Sequence, residues 1–202
     1  MLGEGVKNIM KSLLLSIKPK WVAKILNGEK TIEIRKKFPK DYVGWVYIYN
    51  TKKTKDGVLK LAYIGNKLEF VLSYDKTSKY QGKVVARFWC DKVEHIEYET
   101  CSRDISGWWK DDGKMFNHKD ACLTYEEMFD YIGSGEGYAI HITKLEIFDK
   151  PKDISEFKSK LHIKGGCKNC PQYTGFSMPY CATCDFLLPL NRAPQSWCYV
   201  EE

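Results

Sequence analysis

No stretch of this chain approaches the roughly 20 consecutive apolar residues that a membrane-spanning helix requires, and no segment is repeated or of low complexity. The opening residues, Met1–Met10, hold Lys7 and two glycines but no apolar run ending in small residues, so they do not read as an export signal. The expectation is a cytoplasmic chain in which residues 1–11 are an extension ahead of the apolar run Ser12–Ile17. Without an export route, the eight cysteines argue against a disulfide framework. A length of 202 residues excludes a large multidomain machine. General disorder is excluded too, because 44% of the residues are apolar and 14% aromatic, enough for a packed core.

The formal charge of +6 is unevenly distributed. From Lys18 to Lys40, eight basic residues face only Glu29 and Glu33, a local +6. Residues 41–89 add a further +5, whereas residues 90–136 carry −7. A basic region beside an acidic one fits a face for a polyanion such as nucleic acid; the alternative is a solvated lysine surface.

Local patterns place the elements. Lys18-Pro19 ends the apolar run Leu13, Leu14, Leu15, Ile17 and opens a helix, along one side of which Trp21, Val22, Ile25 and Leu26 recur. Asn27-Gly28 stops it. Thr31–Arg35 alternates as a strand, with Ile32 and Ile34 on one face and Glu33 and Arg35 on the other. Gly44–Thr51 alternates in the same way, Leu59–Tyr63 and Leu68–Ser73 form a hairpin about Gly65-Asn66, and Lys83–Cys90 and Gly137–Phe148 are further β segments. A helix is expected over Tyr125–Tyr131, and Trp108-Trp109 in a polar loop. Many short strands with few helices imply an α+β fold built on a small mixed β-barrel.

Composition changes after Asp149, and a boundary is placed near residue 160, giving a domain over 12–160 and a segment over 161–202 whose apolar end is suited to pack back on the first domain. That segment holds Cys167-x-x-Cys170 and Cys181-x-x-Cys184, ten residues apart. Two such turns deliver four thiolates to one tetrahedral ion, so Cys167, Cys170, Cys181 and Cys184 are expected to bind a structural Zn²⁺ with no position open for water. Redox or unligated cysteines are the alternatives, and Cys198 and His162 are substitute ligands or ordinary packing residues.

The stretch Gly28-Glu-Lys30-Thr-Ile-Glu33-Ile-Arg35 is the second constellation. Glu33 and Arg35 share a strand face, about 7 Å apart, while Lys30 lies in the preceding turn. Either they neutralise one another, or they line a cleft in which Lys30 and Arg35 hold a phosphate or base and Glu33 orients them or takes a proton. Trp21, Trp45, Tyr47, Tyr49, Trp108 and Trp109 are candidate stacking residues, with core packing as the alternative. His141, on the strand face opposite Ile140 and Ile142, is either a cleft residue or a satisfied buried histidine.

Leu15 to Arg35 resembles the opening of an ASCH domain, a member of the PUA-like superfamily. Gly28, Lys30, Glu33 and Arg35 match every fixed position of its G-x-K-x-x-E-x-R signature, and the strands at Val46-Tyr-Ile-Tyr and Tyr138-Ala-Ile-His-Ile fall where that family has barrel strands. The resemblance covers residues 12–150. It implies a PUA-like/ASCH mixed β-barrel with flanking helices, a cleft lined by the motif, and binding of RNA, single-stranded nucleic acid or a nucleotide or modified nucleoside. Lys18, Lys20, Trp21 and Trp108 would join Lys30, Glu33 and Arg35 in that binding.

Some relatives in that family are acetylcytidine amidohydrolases, and one branch is a ribonuclease. Around K-T-I-x-I-R, Lys30 falls on the amidohydrolases' catalytic lysine, but Glu33 stands where they have a catalytic threonine, and their catalytic glutamate has no assignable position here. The amidohydrolase activity is therefore not carried over. A hydrolase acting on RNA or a modified nucleoside, with Lys30 and Glu33 catalytic, remains the rival to a binding protein. An adaptor that docks through its zinc segment is the third reading.

Overall fold

The computed structural model describes residues 11–52, 54–100, 107–111, 113–160 and 187–201. The strands are β1 (Ser12–Ile17), β2 (Ile32–Arg35), β3 (Gly44–Asn50), β4 (Val58–Ile64), β5 (Lys67–Ser73), β6 (Lys83–Cys90), β7 (Val93–Thr100), β8 (Gly107–Asp111), β9 (Lys114–Met115), β10 (Glu136–His141), β11 (Thr143–Lys152), β12 (Lys158–Lys160), β13 (Leu187–Pro189) and β14 (Trp197–Val200). Two α-helices accompany them, α1 (Pro19–Leu26) and α2 (Tyr125–Ile132). No helix among the described residues is long and apolar enough to cross a membrane.

Helix α1 begins where the sequence calls for it. Pro19 occupies its first turn, and Val22, Ala23, Ile25 and Leu26 are buried. Its end is a Schellman motif: the Glu29 amide donates to the Lys24 carbonyl and the Gly28 amide to the Ile25 carbonyl, both at 2.9 Å. Gly28 sits at φ +75°, a conformation glycine adopts without the strain a Cβ would bring. This sharp stop leads the chain into the turn that carries Lys30, whose amide donates back to the Lys24 carbonyl at 3.1 Å, ahead of β2. Helix α2 opens on a reciprocal capping box between Thr124 and Glu127 and buries Met128 and Ile132.

The ladders form two five-stranded sheets, β11-β6-β3-β1-β14 and β2-β10-β7-β8-β9, and two isolated pairs, β4-β5 and β12-β13. Among the described residues no ladder joins the two large sheets, so the expected closed barrel is replaced by two open sheets. Strand β1 pairs parallel with β3, with α1 in the intervening crossover, and antiparallel with β14. The apolar tail thus returns to the first sheet. Strands β12 and β13 set Lys160 opposite Leu187, so the chain leaves and re-enters at neighbouring points.

Alternation on β2 divides its side chains. Ile32 and Ile34 pack with Ile96, Ala139, Met128 and Ile132 beneath α2. Glu33 and Arg35 stand opposite Ile140 and Tyr138 of β10, which belong to or pack on the larger core formed with α1 and the first sheet. Both faces of β2 are therefore covered, and all four residues are buried.

The expected loop at Trp108-Trp109 is a strand. Tyr98 pairs with Trp109 and Glu99 with Trp108 across β7 and β8, and Trp109 is 2% exposed in the second core. A Trp-Trp step between Gly107 and Lys110 gives no hint of β7, whose pairing supplies the partner.

Candidate functional site

Lys30, Glu33 and Arg35 meet in three dimensions as an ion triad. Arg35 Nη2 lies 3.1 Å from Glu33 Oε1, and Lys30 Nζ lies 3.5 Å from Glu33 Oε2. The three are 2%, 6% and 7% exposed, so one carboxylate faces two buried cations. Arg35 also donates from Nη2 to the Ser16 carbonyl at 2.9 Å, and Lys30 donates to the Ala121 carbonyl at 2.6 Å. Ala121 closes a 3-10 turn over His118–Ala121, which is held to the start of β2 by Thr31 donating to the Asp120 carbonyl at 2.9 Å. Burial pushes the Lys30 ammonium below its ordinary pKa, against the opposing attraction of Glu33.

The triad forms one wall of a half-open cleft of about 860 Å³. Trp21 borders it from α1 and Lys18 from the residue before α1, Glu127, Asp130 and Tyr131 from α2, Tyr49 from β3 and Thr51 from just after it, and Ser16, Lys55 and residues 193–195 also line it. It carries basic, acidic and aromatic walls, and its size suits a small ligand or a single residue of a polymer.

The structure gathers most of the expected binding residues and repositions others. Lys20 sits outside the lining and pairs with Glu127 at 3.2 Å. The Trp21 ring has Lys20 Nζ 4.4 Å and Lys30 Nζ 5.3 Å from its centroid, so it is already engaged as a cation–π partner. Trp108 lies on β8, three strands from β2 in the sheet order. Trp45 packs edge-on against Trp89 and beneath Arg87, and Tyr47 packs on Phe157. His141 Nε2 is 3.2 Å from Glu94 Oε2 and stands outside the cleft lining.

Cys167, Cys170, Cys181, Cys184 and His162 lie outside the described residues. Cys198 is on β14 opposite Leu14, and burial raises its thiol to about 11, as suits a packing residue.

Sequence reading overlooked Ser16, Thr51, Lys55, Asp130, Tyr131 and Pro194 as cleft residues. No local signal marks them, since they converge only through the β1–β3 pairing, the placement of α2 and the return of the tail. Glu127 was overlooked as well; it falls within the helix expected over Tyr125–Tyr131 and reaches the cleft through the placement of α2.

Comparison with known proteins gives the family. The ASCH domain family matches residues 15–146. Among solved structures, ASCH from Zymomonas mobilis is 15% identical, with a TM-score of 0.44 over 72% of this chain and 75% of that one. A single-substitution mutant of it is 14% identical, with a TM-score of 0.43 over 71% and 76%. No curated protein matches the chain. With the motif residues assembled on β2 and the turn before it, and the family match spanning β1 to β11, the chain belongs to the ASCH domain family.

Proposed function

We propose that this protein recognises RNA or a nucleotide in the cleft beside α1. One observation carries the reading: a buried triad with two cations to one carboxylate opens onto a nucleotide-sized cleft that also presents Lys18, Lys55, Tyr49 and Tyr131. Arg35 and Lys18 offer charge to phosphate, the exposed Tyr131 offers a face to a base, and Glu33 holds Arg35 in place. The test is filter retention of labelled single-stranded RNA, together with a nucleoside panel scored for binding and conversion. Retention that weakens as salt rises is expected; a flat salt response, or no binding at low salt, sinks the reading.

A hydrolase reading has its own support. Lys30 is buried 3.5 Å from Glu33 with its pKa lowered by burial, a pairing of the kind that supports proton transfer. Conversion of RNA or of a modified nucleoside by wild type, lost in Glu33→Gln while binding persists, favours it over binding alone.

The four cysteines are proposed to hold one structural zinc. Supporting this, β12 and β13 bring residues 160 and 187 side by side, so a metal between them would staple a closed excursion. Metal analysis of protein prepared without chelator should give about one zinc per chain; finding none overturns the assignment. A cytoplasmic location is part of the same proposal.

A further inference from the structure

Four cations and three carboxylates line the cleft: Lys18, Lys30, Arg35 and Lys55 against Glu33, Glu127 and Asp130. Most of them are already engaged. Glu33 faces Lys30 and Arg35. Glu127 accepts from Lys20 through Oε1 at 3.2 Å and from the Thr124 amide through Oε2 at 3.0 Å. Asp130 stands apart. It is exposed, and no hydrogen bond or ion pair among the described residues engages its carboxylate. Lys18 and Lys55 are also exposed and have no carboxylate partner among the described residues.

Helix stability does not account for Asp130. It lies in the last turn of α2, which holds no basic residue, and the partial negative charge of a helix C-terminus disfavours a carboxylate there. Beside it is Tyr131, 40% exposed, with Lys36 Nζ 5.7 Å from its ring centroid. The α2 wall therefore sets one unengaged carboxylate next to an accessible aromatic ring, while the unengaged cations of the cleft stand on other elements.

An ionised carboxylate accepts hydrogen bonds and donates none. Its two oxygens are best matched by two adjacent donors in one plane. Among the four RNA bases only guanine has such a pair, N1–H and the exocyclic N2 amine. Adenine and cytosine set a ring-nitrogen lone pair beside their amine, and uracil sets a single N–H between two carbonyls. Each of those three turns a lone pair toward one of the carboxylate oxygens.

We infer that Asp130 is the base-reading residue of the cleft and that it selects guanine. The carboxylate accepts from the Watson–Crick edge, the ring lies against Tyr131, and the phosphate is left to the cations of the other walls. This names the ligand class of the cleft and rests on the nucleotide reading above.

The experiment titrates the full chain with the 5′-monophosphates of guanosine, inosine, adenosine, cytidine and uridine. In parallel it uses single-stranded RNA pentamers that are abasic except at the centre, where they carry each of the same bases in turn. The guanine ligands should bind on the order of tenfold or more tighter than those of adenine, cytosine or uracil. Inosine keeps N1–H and lacks the N2 amine, so it should fall between. Asp130→Asn keeps the size of the side chain but replaces one acceptor by a donor, and should reduce the guanine preference to less than about threefold. That variant should melt no lower than wild type, since it removes a negative charge from a helix C-terminus. Asp41→Asn, at an exposed position outside the cleft lining, should keep the preference.

Equal binding of all bases by wild type overturns the selection and leaves nucleotide recognition standing. A guanine preference undiminished in Asp130→Asn takes the reading away from Asp130, and inosine bound as tightly as guanosine removes the paired contact. Equal weakening of every ribonucleotide in Asp130→Asn moves the carboxylate to the ribose hydroxyls and overturns base reading. Binding of no monophosphate and no pentamer overturns the inference together with the nucleotide reading.

Discussion

Arg35 donates from Nη2 to the backbone carbonyl of Ser16 at 2.9 Å, so a motif residue at the end of β2 grips the end of β1. The contact joins the two large sheets through a side chain where no ladder among the described residues connects them. Arg35 thereby has two roles, as a tie within the fold and as part of the cleft wall.

Lysine cannot reproduce that arrangement. A guanidinium donates to Glu33 and the Ser16 carbonyl from one rigid plane, whereas an ammonium is a flexible point charge. Arg35→Lys should lower stability by about 1–3 kcal/mol and weaken RNA or nucleotide retention. Urea denaturation and filter binding check this, and a variant as stable as wild type would remove the tie from the account.

Glu33 is the sole carboxylate of the triad, and both neighbouring cations are buried with it. Glu33→Gln keeps the shape but leaves Lys30 and Arg35 facing an amide. Breaking a buried ion pair from one side costs about 3–5 kcal/mol. The expected result is a marked fall in denaturation midpoint, with ligand affinity within a few fold at temperatures where the variant stays folded. Unchanged stability would mean that the triad is more hydrated than its burial implies.

Lys30 supplies a pH dependence with a definite sign. Burial lowers its folded pKa below the unfolded value of 10.5, so between those two values the unfolded chain binds more protons and stability rises with pH. Lys30→Met removes that contribution. The stability of wild type relative to Lys30→Met should therefore improve as pH rises toward 10.5, measured by urea titration at a series of pH values. A difference that is flat or falls with pH would show that Glu33 outweighs desolvation.

Two thiols, buried Cys90 and half-buried Cys198, act in the opposite direction. Burial raises Cys90 to about 12 and Cys198 to about 11, from an ordinary value of 9.0. Groups whose folded pKa is raised contribute stability that is present below pH 9 and is lost as pH climbs through the folded values. Cys198→Ala should lessen the alkaline loss between pH 9 and 11, judged against the variant's own stability at pH 7. An unchanged alkaline slope would place the Cys198 thiol in water.

Much of the fold was legible locally because it is encoded locally. Pro19 and Asn27-Gly28 bracket α1 by backbone chemistry that needs no tertiary partner, and the period-two pattern of Thr31–Arg35 sets Glu33 and Arg35 on one face whatever lies opposite. The G-x-K-x-x-E-x-R spacing likewise announced which three charged side chains belong together.

Their environment was not legible. Alternation shows that Glu33 and Arg35 share a face but not that β10 and the first sheet cover it, and solvent cover is what turns a surface charge pair into a buried triad with a displaced lysine pKa. Lys30 joins the triad through the turn that follows Gly28, which strand periodicity does not describe. Trp109 became a core residue because β7 pairs with β8, and Pro194 reached the cleft because β14 returns to β1 over a sequence separation that no local pattern spans. Sequence alone determined the helix stops and the strand faces, since these follow from backbone sterics and side-chain period, while the three charged residues were grouped by their match to the family signature. Tertiary structure decided what is buried, which residues wall the cleft and that the sheets stay open, since these depend on contacts between distant segments.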